Sequence, residues 1–381
     1  MKIGIPGEVL EQETRVAVVP SMVSALTKNE HQVFVERGAG IAASFTDAEF
    51  EKAGATMTDK PTDLYKSIDT LLKVNPPQKH PKLKKHEIEL MPEGSVYIGF
   101  LAPLENQKAI KLLQKRKITA FSMEYVPRIT RAQSMDALSS MATIAGYKAV
   151  LLAASRLTKI FPLLMTAAGT IPASTVLVLG AGVAGLQAIA TAKRLGAKVE
   201  AFDPRPATKE QVESLAAHFV EMEMPEDAET EGGYAKEMSE EFLKKEQEAI
   251  ARRLPRVDAV ITTAQVFGKK APILITKEMV ETMRPGSVIV DLAAAQGGNC
   301  ELTDASQDVE HNGVKIIGAA NLPATIPSHA SLMYSKNIIN LFNNIYRDAE
   351  KAPDFEDEVT RGACITHDGE IVNESVKNAL S

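Results

Sequence analysis

Cysteine is nearly absent. Only Cys300 and Cys364 occur in 381 residues, far apart and in no metal-ligand spacing. That excludes a disulfide framework and a cysteine-built zinc site, and it fits a reducing compartment. Basic clusters are as scarce. Apart from residues 82–85 the cations are dispersed, and 43 lysines and arginines face 49 acids, for a net charge of −6. Such a chain is a poor match for nucleic acid or an anionic membrane surface. There is no repeat period, no low-complexity tract and no uninterrupted apolar run of the ~20 residues a membrane helix needs. Residues 160–192 carry no Asp, Glu, Lys or Arg, but Gly169, Pro172, Ser174, Gly180, Gly182 and Gly185 interrupt them. That segment reads as helix end, loop, buried strand, turn and helix. The start, Met1-Lys2-Ile3-Gly4-Ile5-Pro6, runs straight into a strand and lacks the pattern of a signal peptide. A GxxxxGK[ST] phosphate loop and an HExxH zinc motif are also missing, the seven histidines are scattered, and no carboxylate pair stands out for acid–base hydrolysis.

What is present is ordinary globular composition, 45% hydrophobic and 24% charged. The length suits two or three domains with cores that need no staples. Short apolar runs alternate with amphipathic stretches. Strands are expected at 3–6, 33–36, 70–74, 96–100 and 118–123, then at 175–179, 198–202, 259–262, 287–291 and 315–317. Long helices are expected near 135–160 and 331–347, and a hairpin at 364–372 around Asp368-Gly369. This is the pattern of an α/β fold: two Rossmann-like parallel-sheet domains joined by a long helix, with a cleft between them. The expected boundaries are 1–135 plus about 311–381 for a discontinuous N-terminal domain, and 136–310 for the second.

The strongest motif is Gly180-Ala181-Gly182-Val183-Ala184-Gly185, directly after the apolar run 176–179 and before a helical run. Gly180 permits a tight turn, Gly182 lets backbone approach a pyrophosphate, and Gly185 permits close helix–strand packing, with the helix N-terminus facing the anion. Asp203, at the end of the next strand, is placed to bond both ribose hydroxyls of NAD and to repel a 2′-phosphate, although Arg205 nearby weakens that preference. Gly38-Ala39-Gly40-Ile41-Ala42-Ala43 is a degenerate second match, read as a glycine-rich turn because a helix starts only after Thr46 and no acid follows at a strand end. Residues 221–231 carry six acids and no base, followed by Gly232-Gly233-Tyr234. They read as a solvated loop or as a flap with Tyr234 at its tip.

A polar stretch, Arg128-Ile129-Thr130-Arg131-Ala132-Gln133-Ser134-Met135-Asp136-Ala137-Leu138-Ser139-Ser140, enters the first long helix. Arg128, Gln133, Asp136 and Ser139 can converge on one ligand, Asp136 and Ser139 sharing a helix face. Equally, Asp136 can cap the helix and Arg128 can pair with it.

On these segments the sequence resembles the NAD(H)-binding component, domain I, of proton-translocating NAD(P)+ transhydrogenase. The loop at 128–140, Gly180–Gly185, Ala207-Thr208-Lys209-Glu210-Gln211-Val212, Gly232-Gly233-Tyr234-Ala235-Lys236, Asp291-Leu292-Ala293 and Gly297-Gly298-Asn299-Cys300 carry the resemblance. It implies that Arg128, Ile129, Asp136 and Ser139 hold the nicotinamide carboxamide and its surroundings. Gln133 would align the ring with a partner nucleotide. Gly180, Gly182, Val183, Gly185, Asp203 and Arg205 would hold the rest of NAD(H), with Gly233 and Tyr234 closing over it. It further implies a homodimer, cytoplasmic and peripheral at the inner face of a membrane, that works with a membrane-embedded subunit and an NADP(H)-binding domain. Alanine dehydrogenase is the rival, since Arg15 and Lys73 match its carboxylate-gripping cations. Yet Ala102 and Ala295 stand where that enzyme has a histidine and an aspartate for proton transfer, so Arg15 and Lys73 read as fold-supporting. A module that senses NADH without chemistry is the third reading.

Overall fold

The computed structural model describes residues 1–222, 240–266, 268–347 and 352–380. The chain divides into two compact units, Met1–Met141 with Pro323–Ser381, and Ala142–Leu322.

The first unit holds an eight-stranded sheet in the order Glu370–Ile371, Cys364–His367, Thr119–Ser122, Val96–Gly99, Thr70–Leu72, Lys2–Ile5, Gln32–Glu36, Thr56–Thr58. The last six are all parallel, and Cys364–His367 adds antiparallel to Thr119–Ser122. The strands are short and buried on both faces, as continuous runs such as Thr70-Leu71-Leu72 require. Thr46 opens the helix Asp47–Lys52 through a reciprocal capping box with Glu49.

The second unit holds a seven-stranded sheet in the order His218–Phe219, Lys198–Phe202, Thr175–Leu179, Ala259–Thr262, Val288–Asp291, Val314–Gly318, Val309–His311, all parallel except the last. Here the expected boundary is corrected. Val314–Gly318 does not return to the first unit at about 311. Its buried Val314 and Ile316 extend the second sheet beside Val288–Asp291, and the chain returns only after Leu322.

In both sheets the central strands follow one rule: the chain starts in the middle, runs outward, then restarts on the other side of its first strand. Each sheet therefore has a topological switch point, beside Lys2–Ile5 in the first and beside Thr175–Leu179 in the second. Ligands of open α/β sheets bind at the carboxyl ends of the strands there.

The helix Ala137–Arg156 carries the chain from one unit into the other. Its length and apolarity would suit a membrane span, but Ala149, Val150 and Ala153 are fully buried in the core of the second unit. Gly146 lets this helix touch the helix Val183–Arg194, since a Cβ there would lie 2.1 Å from the Ala184 carbonyl oxygen. The charge-free segment 160–192 holds a feature that sequence reading leaves as loop: a two-stranded antiparallel hairpin, Leu164–Thr166 with Gly169–Ile171.

Candidate nucleotide site

At the second switch point, Gly180 has φ +97° and turns the chain from strand into helix. A Cβ on Gly185 would lie 1.8 Å from the Gly180 carbonyl oxygen, so only glycine lets the helix Val183–Arg194 sit this close to its strand. Gly182 is different. A Cβ there would meet nothing closer than an Arg205 guanidinium nitrogen at 3.9 Å. The space above Gly182 is open, at the end of a helix that no side chain caps. Its first-turn N–H groups have no intrahelical partners, which is the arrangement that binds a phosphate. The residues fit a pyrophosphate.

Asp203 lies beside this turn and is buried. Its carboxylate accepts from Ala181 N at 2.6 Å, Arg205 N at 2.9 Å, and Arg205 Nε and Nη2 at 2.8 Å each. Asp203 thus ties the glycine turn to the neighbouring strand, and Arg205, which the sequence left free to meet a 2′-phosphate, is committed to it. Val183 opens the helix and is exposed. Gly233 and Tyr234, and the acidic segment from 223 onward, lie outside the described residues.

Loops from the neighbouring strands are organised by Asp291, fully buried at the end of Val288–Asp291. It accepts from Thr262 Oγ1 at 2.8 Å, Ala293 N at 2.9 Å, Asn299 N at 2.7 Å, Cys300 N at 3.1 Å and Thr303 Oγ1 at 2.6 Å. Asn299 in turn accepts from Ala264 N and donates to the Ala264 and Pro272 carbonyls. This explains physically why the segments around 291 and 297–300 belong to one motif: one carboxylate folds the rim of the crevice. Burial pushes the Cys300 thiol up to about 11 and Cys364 up to about 12, so neither is a ready nucleophile.

In the first unit, residues 128–139 form a 3-10 turn, Thr130–Met135, leading into the long helix. Asp136 caps that helix: its carboxylate accepts from Ser139 N at 2.8 Å and from Ser139 Oγ at 2.6 Å. The structure thus joins Asp136 and Ser139 directly. A carboxylate offers about four acceptor positions, so the cap does not exhaust it. Gln133 and Arg128 are exposed and Ile129 is half-buried. The loop is held from behind by residues the sequence did not point to. Asn337 and Asn340 Nδ2 donate to the Ser134 carbonyl at 2.9 and 3.1 Å, and Arg131 pairs with Asp357 at 2.7 Å. Burial pushes the Asp357 carboxyl up, but bonds from Asn344, Thr360 and Arg131 outweigh it and hold it at about 2.

The first switch point carries no glycine cradle. It is filled by the chain's own charges. Lys73 is fully buried, with its ammonium 2.6 Å from Glu87 and 3.5 Å from Glu8, and Tyr65 donates to the same Glu87 at 2.6 Å. Burial pushes the ammonium down, but the two acids outweigh it and hold it above its ordinary value. Arg15 forks onto Glu13 through Nε at 2.8 Å and Nη2 at 2.7 Å. Burial raises the Glu13 carboxyl, but Arg15 and Asn75 outweigh this and bring it to about 2. Gly40 is a packing glycine, whose Cβ would strike Phe50 at 2.6 Å and the Phe45 carbonyl at 2.8 Å.

Fold and site together are those of Rossmann-type oxidoreductases. Models of the alanine dehydrogenase/PNT N-terminal and C-terminal domains match residues 4–145 and 149–374. An NAD(P) transhydrogenase alpha-subunit chain of Rhodospirillum rubrum is 48% identical over 98% of this chain and 98% of its own. The crystal structure of transhydrogenase from Sinorhizobium meliloti superposes with a TM-score of 0.85 at 40% identity, covering 98% of this chain and 100% of that one. Alanine dehydrogenase of Methanococcus maripaludis is more distant, 29% identical over 100% of this chain and 96% of its own. The chain belongs to the alanine dehydrogenase/PNT family, as a homologue of the transhydrogenase alpha subunits.

Proposed function

We propose that this chain binds NADH at Gly180–Gly185 and delivers its hydride directly to NADP+ held by a partner NADP(H)-binding domain, the reaction being coupled to proton translocation in the intact complex. The observation that carries the nucleotide assignment is the open space over Gly182 at an uncapped helix end, beside an Asp203 that engages Arg205. NADH supplies the hydride; the protein's part is to hold and orient it. Gly182 and Val183 offer backbone N–H groups to the pyrophosphate, the Ala181 N–H being held by Asp203, and Asp203 is assigned to the adenosine ribose. Arg128, Ile129, Asp136 and Ser139 are assigned to the carboxamide side, and Gln133 to alignment with the second ring. Transfer between two nicotinamide rings moves no proton, so such a site needs positioning and limited water access rather than an acid or base. Ala102 and Ala295 agree with that, whereas amine oxidation requires a proton-transferring group.

One mixing experiment separates the readings. NADH with an NADP+ analogue and a purified partner domain is expected to turn over, and NADH with pyruvate and ammonia is not. The reverse result makes the chain an alanine dehydrogenase, and no turnover in either leaves a sensor. In the productive mixture Gln133→Asn is expected to leave NADH affinity within about twofold while slowing single-turnover hydride transfer at least tenfold, about 1.4 kcal/mol. An unchanged transfer rate removes Gln133 from the reaction.

The same reading makes the protein a homodimer, cytoplasmic and peripheral at the membrane through its partners. Support for self-association comes from the hairpin. Leu163, Leu164, Met165 and Ile171 are 54%, 42%, 74% and 48% exposed, on a two-stranded ribbon that pairs with no other described strand. Such a ribbon is marginal alone in water, and an uncharged apolar edge is normally covered. Leu164→Asp with Met165→Asp is expected to convert a dimer to monomer in sedimentation equilibrium. A variant that stays dimeric places the interface elsewhere.

A further inference from the structure

The helix Pro327–Ile345 is a fixed element of the first unit, with Tyr334, Ile338, Leu341 and Phe342 buried in its core. One of its faces is polar instead. Asn337, Asn340 and Asn344 recur at helical spacing, and Arg347 follows just past the helix end. This stripe meets the loop at 130–135. Asn337 and Asn340 Nδ2 donate to one acceptor, the Ser134 carbonyl, and together they occupy both its lone pairs. Asn344 Nδ2 and Arg347 Nη2 bond Asp357 at 2.8 and 2.7 Å, and Asp357 in turn holds Arg131. The loop is thus gripped on both sides of Gln133, at residues 131 and 134.

Asn337 is the most informative member of the stripe. It is only 6% exposed. Its Oδ1 is buried and has no hydrogen-bond partner among the described residues, while its Nδ2 serves Ser134. Burying an amide with its acceptor unused is costly, so stability alone is a poor reason for an asparagine here. What the residue supplies is the bond to Ser134. The loop needs that support. Thr130–Met135 is a 3-10 turn of six residues, and such turns seldom run beyond about three or four. Gln133 and Ser134 are exposed, and the bond across Gln133, from Asp136 N to the Gln133 carbonyl, is long at 3.2 Å. Fixing the Ser134 carbonyl fixes the peptide plane that follows it, and with it the direction in which Gln133 leaves the chain.

We propose that Asn337 and Asn340 are positioning residues for hydride transfer, holding through the Ser134 carbonyl the backbone that carries Gln133. This rests on the reading that Gln133 aligns the ring of NADH with a partner nucleotide. Direct transfer between two rings is exacting in geometry, and a misplacement of about 1 Å can cost on the order of 100-fold in rate. Binding is less exacting, because the Gly180–Gly185 turn and the Asp136–Ser139 cap are held by bonds of their own.

The test replaces both amides, Asn337→Leu with Asn340→Leu, in the full chain. Without nucleotide, hydrogen exchange of the amides at 133–136 is expected to quicken at least about tenfold while exchange in the second unit is unchanged. NADH affinity is expected to stay within about twofold, whereas single-turnover transfer to an NADP+ analogue on the purified partner domain slows at least about tenfold. The rate is taken per bound NADH, so unfolded chains do not count. Added to Gln133→Asn, the pair is expected to slow transfer by less than about twofold more, because it acts through that residue. Asn340→Ala alone, at a half-buried position that the fold tolerates, is expected to give the same pattern at about threefold. A merely structural pair lowers thermal stability but leaves transfer per bound NADH unchanged, or adds its full effect to that of Gln133→Asn. Either result overturns the proposal, as does unchanged exchange in the loop. A wild type that binds NADH yet transfers no hydride overturns the proposed reaction, and this proposal with it.

Discussion

Gly185→Ala is expected to cost both the fold and the nucleotide, lowering NADH affinity by roughly 100-fold. The added Cβ falls 1.8 Å from the Gly180 carbonyl oxygen and 2.8 Å from its carbon. Both are backbone atoms of the turn, so no side chain can step aside. The helix Val183–Arg194 must back away from its strand, against a core in which Ala188, Ile189 and Ala192 are fully buried. Overpacking of this kind costs about 1–3 kcal/mol, and the displaced helix end loses the N–H geometry that a pyrophosphate needs. The upper figure corresponds to about 100-fold in a dissociation constant. Gly182→Ala provides the contrast. Its Cβ enters open space 3.9 Å from Arg205, so thermal unfolding should be unchanged while NADH binding is lost, because the methyl group takes the phosphate's place. Calorimetric unfolding and NADH titration of both variants read the two effects separately. Normal NADH affinity in Gly182→Ala removes the cradle from the site.

Lys73→Met is expected to lower unfolding free energy by about 3–5 kcal/mol, the usual cost of leaving a buried charge without its partner. The ammonium it removes is fully buried between Glu8 and Glu87, and among the described residues Glu87 has only Tyr65 and the Gln78 amide besides. Adding Glu87→Gln should restore part of the loss. The pH dependence has a definite sign. Burial, outweighing Lys73, holds the Glu8 carboxyl above its ordinary value in the folded protein. Acid therefore neutralises Glu8, and the deficit of Lys73→Met shrinks as pH falls through the raised Glu8 value. Urea unfolding at several pH values measures this, and a deficit below about 1 kcal/mol at pH 7 means that the cluster does not support the fold. Such a result would also reopen Lys73 as a substrate-binding cation.

Much of the candidate nucleotide site was legible because its parts are local. Gly180–Gly185 and Asp203 lie within one strand–turn–helix–strand unit, and spacing alone reports the turn, the helix end and the acid. The capping role of Asp136 was likewise open to a local reading, since a cap and its Ser139 partner are three residues apart. Asn337, Asn340 and Asp357, which hold the loop at 130–135 in place, are more than 200 residues from it in sequence.

Taken by itself, the sequence determined the α/β class, two parallel-sheet domains, the glycine fingerprint and the family. Each is written in short-range periodicity and in residues whose backbone freedom or charge has one economical use. Tertiary structure alone decided that Val314–Gly318 extends the second sheet, that the first switch point is closed by its own ion pairs, and that a hairpin pairs with no other described strand. Those outcomes depend on which distant surfaces meet, and burial and charge pairing settle that only after the chain has folded.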